Sequence, residues 1–163
     1  MLPDLKPPLP IWIVCEDGTE YLDRFARFLG ERFSFVAALD GPALVAMLAE
    51  PAGARASGVL LDLDFRRTPS ERLVDEQGRS GQVLGEQQRR RLTGPQGILI
   101  LRLLRAHGSR LPVLLCADLD DAAQTAYLER TLAPLTIVPS HEGLREIAAR
   151  MQAMSQGSAA PPK

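Results

Sequence analysis

The chain has 163 residues, of which 45% are hydrophobic and 24% charged, and a formal net charge of −1. That is enough apolar material for one cored domain and excludes global disorder. The near-neutral balance gives no reason to expect a nucleic-acid or membrane surface as partner, and no apolar run is long enough to span a bilayer.

Residues 1–10, "MLPDLKPPLP", hold four prolines and read as an extended N-terminal arm, without the basic start and apolar stretch of a signal peptide. "IWIVC", Ile11–Cys15, is a continuous apolar run, as expected of a strand covered on both faces. Leu22, Phe25, Ala26 and Leu29 then fall at helical spacing, and Asp17 with Glu20 has the pattern of a capping box. "FSFVAAL", Phe33–Leu39, predicts a second strand. Asp40 and Pro42 open a helix that uses Leu44, Met47 and Leu48. "AGARASG" is expected as a loop and "VLLDL" as a third strand, ending in Asp62 and, one residue on, Asp64.

The apolar pattern then lapses. Positions 66 to 95 carry seven arginines against four acids, a net +3 within a chain of net −1. Such a connection is long for a compact domain, and its polar composition predicts no core of its own. It is expected to be a removable, partner-facing insertion. "ILILRLLRAH", Ile98–His107, predicts a buried helix and "LPVLLCA", Leu111–Ala117, a fourth strand. Asp120 and Asp121 open a helix through Tyr127 to Leu132. "LTIVP", Leu135–Pro139, is a fifth strand, and Ser140 is expected to cap a last helix with Leu144, Ile147, Ala148 and Met151 on one face. The domain is expected to span 11–154, with residues 155–163 a flexible tail.

Strand and helix alternate five times, which implies an α/β fold with a doubly wound parallel sheet. Sites in such sheets lie beyond the carboxyl ends of the strands, where Glu16, Asp17, Asp62, Asp64 and Asp118 fall. The only lysines are Lys6 and Lys163, so chemistry that needs a lysine in the folded body is excluded. His107 and His141 have no metal-site spacing. Cys15 and Cys116 each sit in an apolar run and read as small core hydrophobes, in keeping with a reducing cytoplasm.

The ordered set "IWIVCED", "VLLDLDF", "GPQGILILRLLRAHGSRLPVLLCAD" and "LTIVPSHEGLREIAARM" resembles the response-regulator receiver domain, the phospho-acceptor module of two-component signalling. The resemblance implies a five-stranded sheet of order 2-1-3-4-5, with Asp62 at the phospho-acceptor position and Glu16, Asp17 and Asp64 beside it as an acidic pocket. It also implies a divalent cation to offset charge between carboxylate and phosphate. Three positions depart from the family. Cys15 stands at its first acidic place, Ala117 at its hydroxyl place and Val138 at its lysine place. The expectation is a degenerate receiver, not an enzyme, with no metal and no cofactor. It would act through protein contacts rather than phosphorylation.

Arg66, Arg67, Arg89, Arg90 and Arg91 are the candidate contact for an acidic or signalling protein, and a second copy of the chain is another candidate partner. One alternative is an atypical response regulator still phosphorylated on Asp62. Another follows from the Asp-x-Asp motif, which resembles haloacid-dehalogenase-like phosphatases, with Asp62 as nucleophile and Asp64 as acid/base. The run "EQQRRRLTG" is weak support for nucleic-acid binding, since it lacks interleaved aromatics and any reading motif.

Overall fold

The computed structural model describes residues 6–158; positions 1–5 of the arm and 159–163 of the tail, Lys163 among them, lie outside the described residues. Five strands form one parallel sheet: β1 Ile11–Cys15, β2 Ser34–Ala38, β3 Gly58–Asp62, β4 Val113–Cys116 and β5 Leu135–Val138, in the order β2-β1-β3-β4-β5. The register sets Cys15 beside Leu61, Asp62 beside Cys116, and Cys116 beside Val138, so the strands end together along one edge.

Among the described residues seven helices flank the sheet: α1 Glu20–Leu29, α2 Gly41–Ala49, α3 Pro51–Ala54, α4 Glu86–Thr93, α5 Gln96–Ala106, α6 Ala122–Thr131 and α7 Leu144–Ser158. Alternation along the central strands divides the core in two. Ile13, Cys15, Val59, Leu61, Val113 and Leu115 pack with α2, α5 and α6, while Trp12, Val14, Leu60, Leu114, Cys116 and Val138 pack with α1 and α7. Because β1, β3 and β4 are covered on both sides, their sequences are unbroken apolar runs. Among the described residues, no helix is long and apolar enough to cross a membrane.

Local expectations fail at four places. The expected loop after α2 contains the single turn α3, where Pro51 supplies the preset φ of a first helical position. The Asp17–Glu20 capping box does not form. Instead the Glu16 carboxylate reaches forward and accepts from the backbone N–H groups of Tyr21 and Leu22, both at 3.0 Å, which leaves Asp17 free for other work. Ser140 does not cap α7; its N–H donates to Asp118 Oδ1 at 2.9 Å, so it fastens the ends of β4 and β5 together. Finally, α7 continues through Ser158, into the segment expected as tail. The Trp12 indole donates to Ser155 Oγ at 3.0 Å, which anchors this last stretch to the sheet.

The largest correction concerns positions 66–95. Leu73 and Val74 are buried against the α2–α5 core, at 2% and 0% exposure. The Gln96 side chain is itself buried and clasps the backbone of Val74, accepting from its N–H at 2.7 Å and donating to its carbonyl at 3.0 Å. Arg72 makes a bidentate pair with Asp40, at 2.8 and 2.7 Å, while Asp40 also caps α2 through the Ala43 N–H. The ends of the segment meet where the Phe65 N–H donates to the Thr93 carbonyl at 3.0 Å. Two apolar residues and one glutamine thus do what the composition of the whole stretch conceals. The insertion is part of the fold rather than a removable appendage.

Candidate functional site

The acidic edge lies where β1 and β3 end. Asp62 is half-buried at the tip of β3, and its Oδ1 accepts from the Leu63 N–H at 2.8 Å. Burial, then the nearby Asp17, Glu16 and Asp64 carboxylates, push its carboxyl up to about 6, despite the opposing Leu63 hydrogen bond. Glu16 is 3% exposed, and burial raises its carboxyl although two backbone N–H groups favour the charged form. Behind this edge α5 begins abruptly. The Gly97 N–H donates to the Leu63 carbonyl at 2.9 Å. A Cβ on Gly97 would collide with the carbonyl oxygen of Asp62 and lie 2.9 Å from Leu63 Cα. Only glycine lets the helix start so close to the strand end.

The arginines at the start of the insertion pair with acids of their own chain at the surface, Arg67 with its side chain 57% exposed. The Arg67 backbone N–H donates to Asp17 Oδ2 at 2.8 Å, and its Nη2 donates to Asp17 Oδ1 at 3.0 Å. The same guanidinium reaches both oxygens of Glu20, at 2.7 and 3.0 Å. It holds the Glu20 carboxyl down at about 2. Arg66 Nε pairs with Asp64 at 2.7 Å. Arg89 donates to the carbonyls of Arg66 and Thr68, on either side of Arg67. Arg90 pairs with Glu86 one helical turn away, and Arg91 lies 3.8 Å from Glu76. The five arginines expected as one outward contact therefore divide. Arg67 and Arg89 build the site, and the side chains of Arg66, Arg90 and Arg91 stay 82%, 76% and 72% exposed.

The three departures from the family pattern are all buried apolar positions. Cys15 is fully buried on the α2–α5 side, and burial followed by the Asp40 charge pushes its thiol upward, so it is an inert core group. Ala117 is 3% exposed and donates its backbone N–H to the Val138 carbonyl at 2.9 Å. Val138 is fully buried among Trp12, Cys116, Ile147 and Met151. A lysine there would bring a charge into an apolar pocket.

The residues present do not fit a divalent cation. Both oxygens of Glu16 cap α1, both oxygens of Asp17 are taken by Arg67, and Cys15 is turned into the core. A hard cation needs several free oxygen ligands, and among the described residues this edge leaves only the buried Asp64 Oδ1 and the second oxygen of Asp62 without a partner. Among the described residues, no group of three or more His, Cys, Asp or Glu side chains is arranged to hold a metal.

No family model matches the sequence, and no curated protein matches it. Solved structures do. The receiver domain of the Francisella response regulator 1452 superposes with a TM-score of 0.64 at 13% identity, over 91% of this chain and 98% of that one. The BeF3-activated receiver domain of Klebsiella pneumoniae RstA gives 0.58 at 16% identity, over 90% and 98%. An adenylate cyclase from Rhodopirellula baltica gives 0.61 at 12%, over 91% and 89%. The chain has the receiver fold. Within it, Asp62 occupies the carboxyl end of the third strand, as the sequence resemblance implies, and the surrounding edge is closed by ion pairs internal to the chain.

The part of the site that sequence reading missed is the pairing of Arg67 with Asp17 and Glu20, 50 and 47 positions away. One signal was available. Gly18 lies between the two acids, and a Cβ there would sit 2.7 Å from Arg67 Cζ.

Proposed function

We propose that this chain is a phosphorylation-independent receiver-fold module that works through protein–protein contacts in a signalling or cell-organisation pathway of the two-component type. The observation that carries the reading is the state of the acidic edge. Glu16 is committed to α1 and Asp17 to Arg67, while Ala117 and Val138 offer neither a hydroxyl nor an ammonium to a phosphoryl group. Phosphoryl transfer to Asp62 would lack both the cation and the donors that offset charge in its transition state. The phosphatase alternative fares no better, because Asp64, its acid/base, is paired with Arg66.

What remains for a partner is surface. The exposed side chains of Arg66, Arg90 and Arg91 are the candidate contact for an acidic protein. Each already holds an acid of its own chain, so a partner's carboxylates would exchange with Asp64, Glu86 and Glu76 rather than meet bare charges. The two free cysteines suit a reducing compartment such as the cytoplasm.

Intact-mass measurement after incubation with acetyl phosphate and Mg²⁺ tests the reading. The expected spectrum shows no phosphate adduct. A stoichiometric adduct lost in Asp62→Asn would restore a regulated phospho-acceptor.

A further inference from the structure

We propose that Arg67 is a resident counter-ion of the strand-end cleft: its guanidinium takes the place of a free cation on the acidic edge and latches the insertion across the ends of β1 and β3. The inference goes beyond phosphorylation independence, since it assigns the closed state of the cleft to one side chain.

Three independent features support it. The first is geometry. Arg67 makes four hydrogen bonds to two carboxylates, three from the guanidinium and one from its own backbone N–H, all between 2.7 and 3.0 Å. A guanidinium suits this arrangement because its donors form a fixed planar fork that grips the Glu20 carboxylate with two N–H groups while a further one reaches Asp17. The second is room. A methyl group at Gly18 would overlap both the Arg67 Nη2 and the Glu20 carboxylate. Both are the far ends of flexible side chains, so the chain tolerates the substitution only by moving the ion pair. The third is support from behind. Arg89 holds the carbonyls of residues 66 and 68, which fixes the backbone on either side of Arg67 and presents its side chain to the cleft. Arg66 meanwhile neutralises Asp64 on the adjoining side.

The charge arrangement explains why a latch is needed. Glu16, Asp17, Glu20, Asp62 and Asp64 converge on one edge, and the body of the fold supplies no lysine to offset them. Leaving such an edge uncompensated raises carboxyl pKa values and destabilises the closed strand ends. A soluble cation could relieve this only while its concentration lasts. A tethered guanidinium is present at high effective concentration always. The insertion therefore supplies the acidic edge with its own counter-charge.

The test compares the full wild-type chain with Arg67→Gln and Gly18→Ala by ¹H–¹⁵N NMR, with Mn²⁺ as the probe. In the wild type, equimolar Mn²⁺ should leave the amide signals of Tyr21, Leu63 and Arg67 sharp. Both variants should show those signals broadened. The amide at position 67, which now donates to Asp17, should exchange with solvent at least about tenfold faster in both. Two results would overturn the proposal: wild-type signals that broaden as readily as those of the variants, or variants no more responsive to Mn²⁺ than the wild type. Neither result depends on whether Asp62 takes up phosphate, so the latch and the proposed function fail separately. Gly18→Ala keeps the arginine and displaces only its side chain, so agreement between the variants ties the effect to the position of the guanidinium rather than to loss of a residue.

Discussion

Replacing Gln96 should expose how firmly the insertion is built into the fold. Its side chain is 1% exposed and makes three hydrogen bonds: the two to Val74 and a third from Nε2 to the Leu92 carbonyl at 3.0 Å. Gln96→Met keeps most of the volume but removes all three. Val74 is itself fully buried, so its N–H and carbonyl would be left without partners in an apolar setting. An unsatisfied buried polar group costs about 1–3 kcal/mol, which puts the loss for the two groups of Val74 at roughly 2–6 kcal/mol. Against a total stability of roughly 5–15 kcal/mol, that is a large fraction. At about 2–4 °C per kcal/mol for a domain of this size, the melting temperature should fall by roughly 4–24 °C. Urea denaturation should show a single transition with an unchanged slope, since the clasp joins the insertion to the main core. A change of less than about 0.5 kcal/mol, the range of ordinary surface substitutions, would refute the claim that Leu73–Val74 is seated in that core.

Two further substitutions probe the strand ends. Asp62 is raised to about 6 in the fold, above the ordinary unfolded value of about 3.9, so its contribution to stability is full below about pH 4 and is lost as pH rises through about 6. Asp62→Asn should abolish that decline. Near neutral pH the variant should be more stable than the wild type by about 1–2 kcal/mol, a figure reduced to allow for solvent at a half-buried carboxylate. A less stable variant would mean that the charged form is needed. Gly97→Ala should cost at least about 2 kcal/mol in urea denaturation, because the added methyl meets backbone at Asp62 and Leu63 that has no room to withdraw. A neutral result would show that α5 starts farther from β3 than the geometry indicates.

The sheet was legible because its central strands are continuous apolar runs and its helices carry the 3.6-residue period. Ile11–Cys15 appears in the structure with the bounds read from the sequence, and the order 2-1-3-4-5 follows from the strand–helix alternation together with the family resemblance. Caps were less legible, since capping depends on which of several adjacent acids faces the helix. Glu16, Asp17 and Glu20 all have the right chemistry for the start of α1, and only the path of the chain assigns the task to Glu16. The seating of the insertion is hidden in the sequence for a related reason. Leu73 and Val74 are two apolar residues among many charged ones, too few to make a period, and their burial depends on a glutamine 22 positions away. Arg67 was visible as a charge, but its direction was not. Side chains of one sign in a polar segment look like a surface until their opposite charges are located in space, and those of Arg67 lie in the first helical turn and just before it.

The central claim, that the Asp62 edge is closed to phosphoryl chemistry, is tested most directly by titrating the full chain with beryllofluoride and Mg²⁺ while recording ¹H–¹⁵N spectra. Beryllofluoride places a tetrahedral phosphoryl mimic on an aspartate where a cation and neighbouring donors can hold it. The expected spectra are unchanged at Leu63, Ala117 and Val138, in the wild type and in Asp62→Asn alike. Saturable shifts at those three amides in the wild type, absent in Asp62→Asn, would contradict the claim.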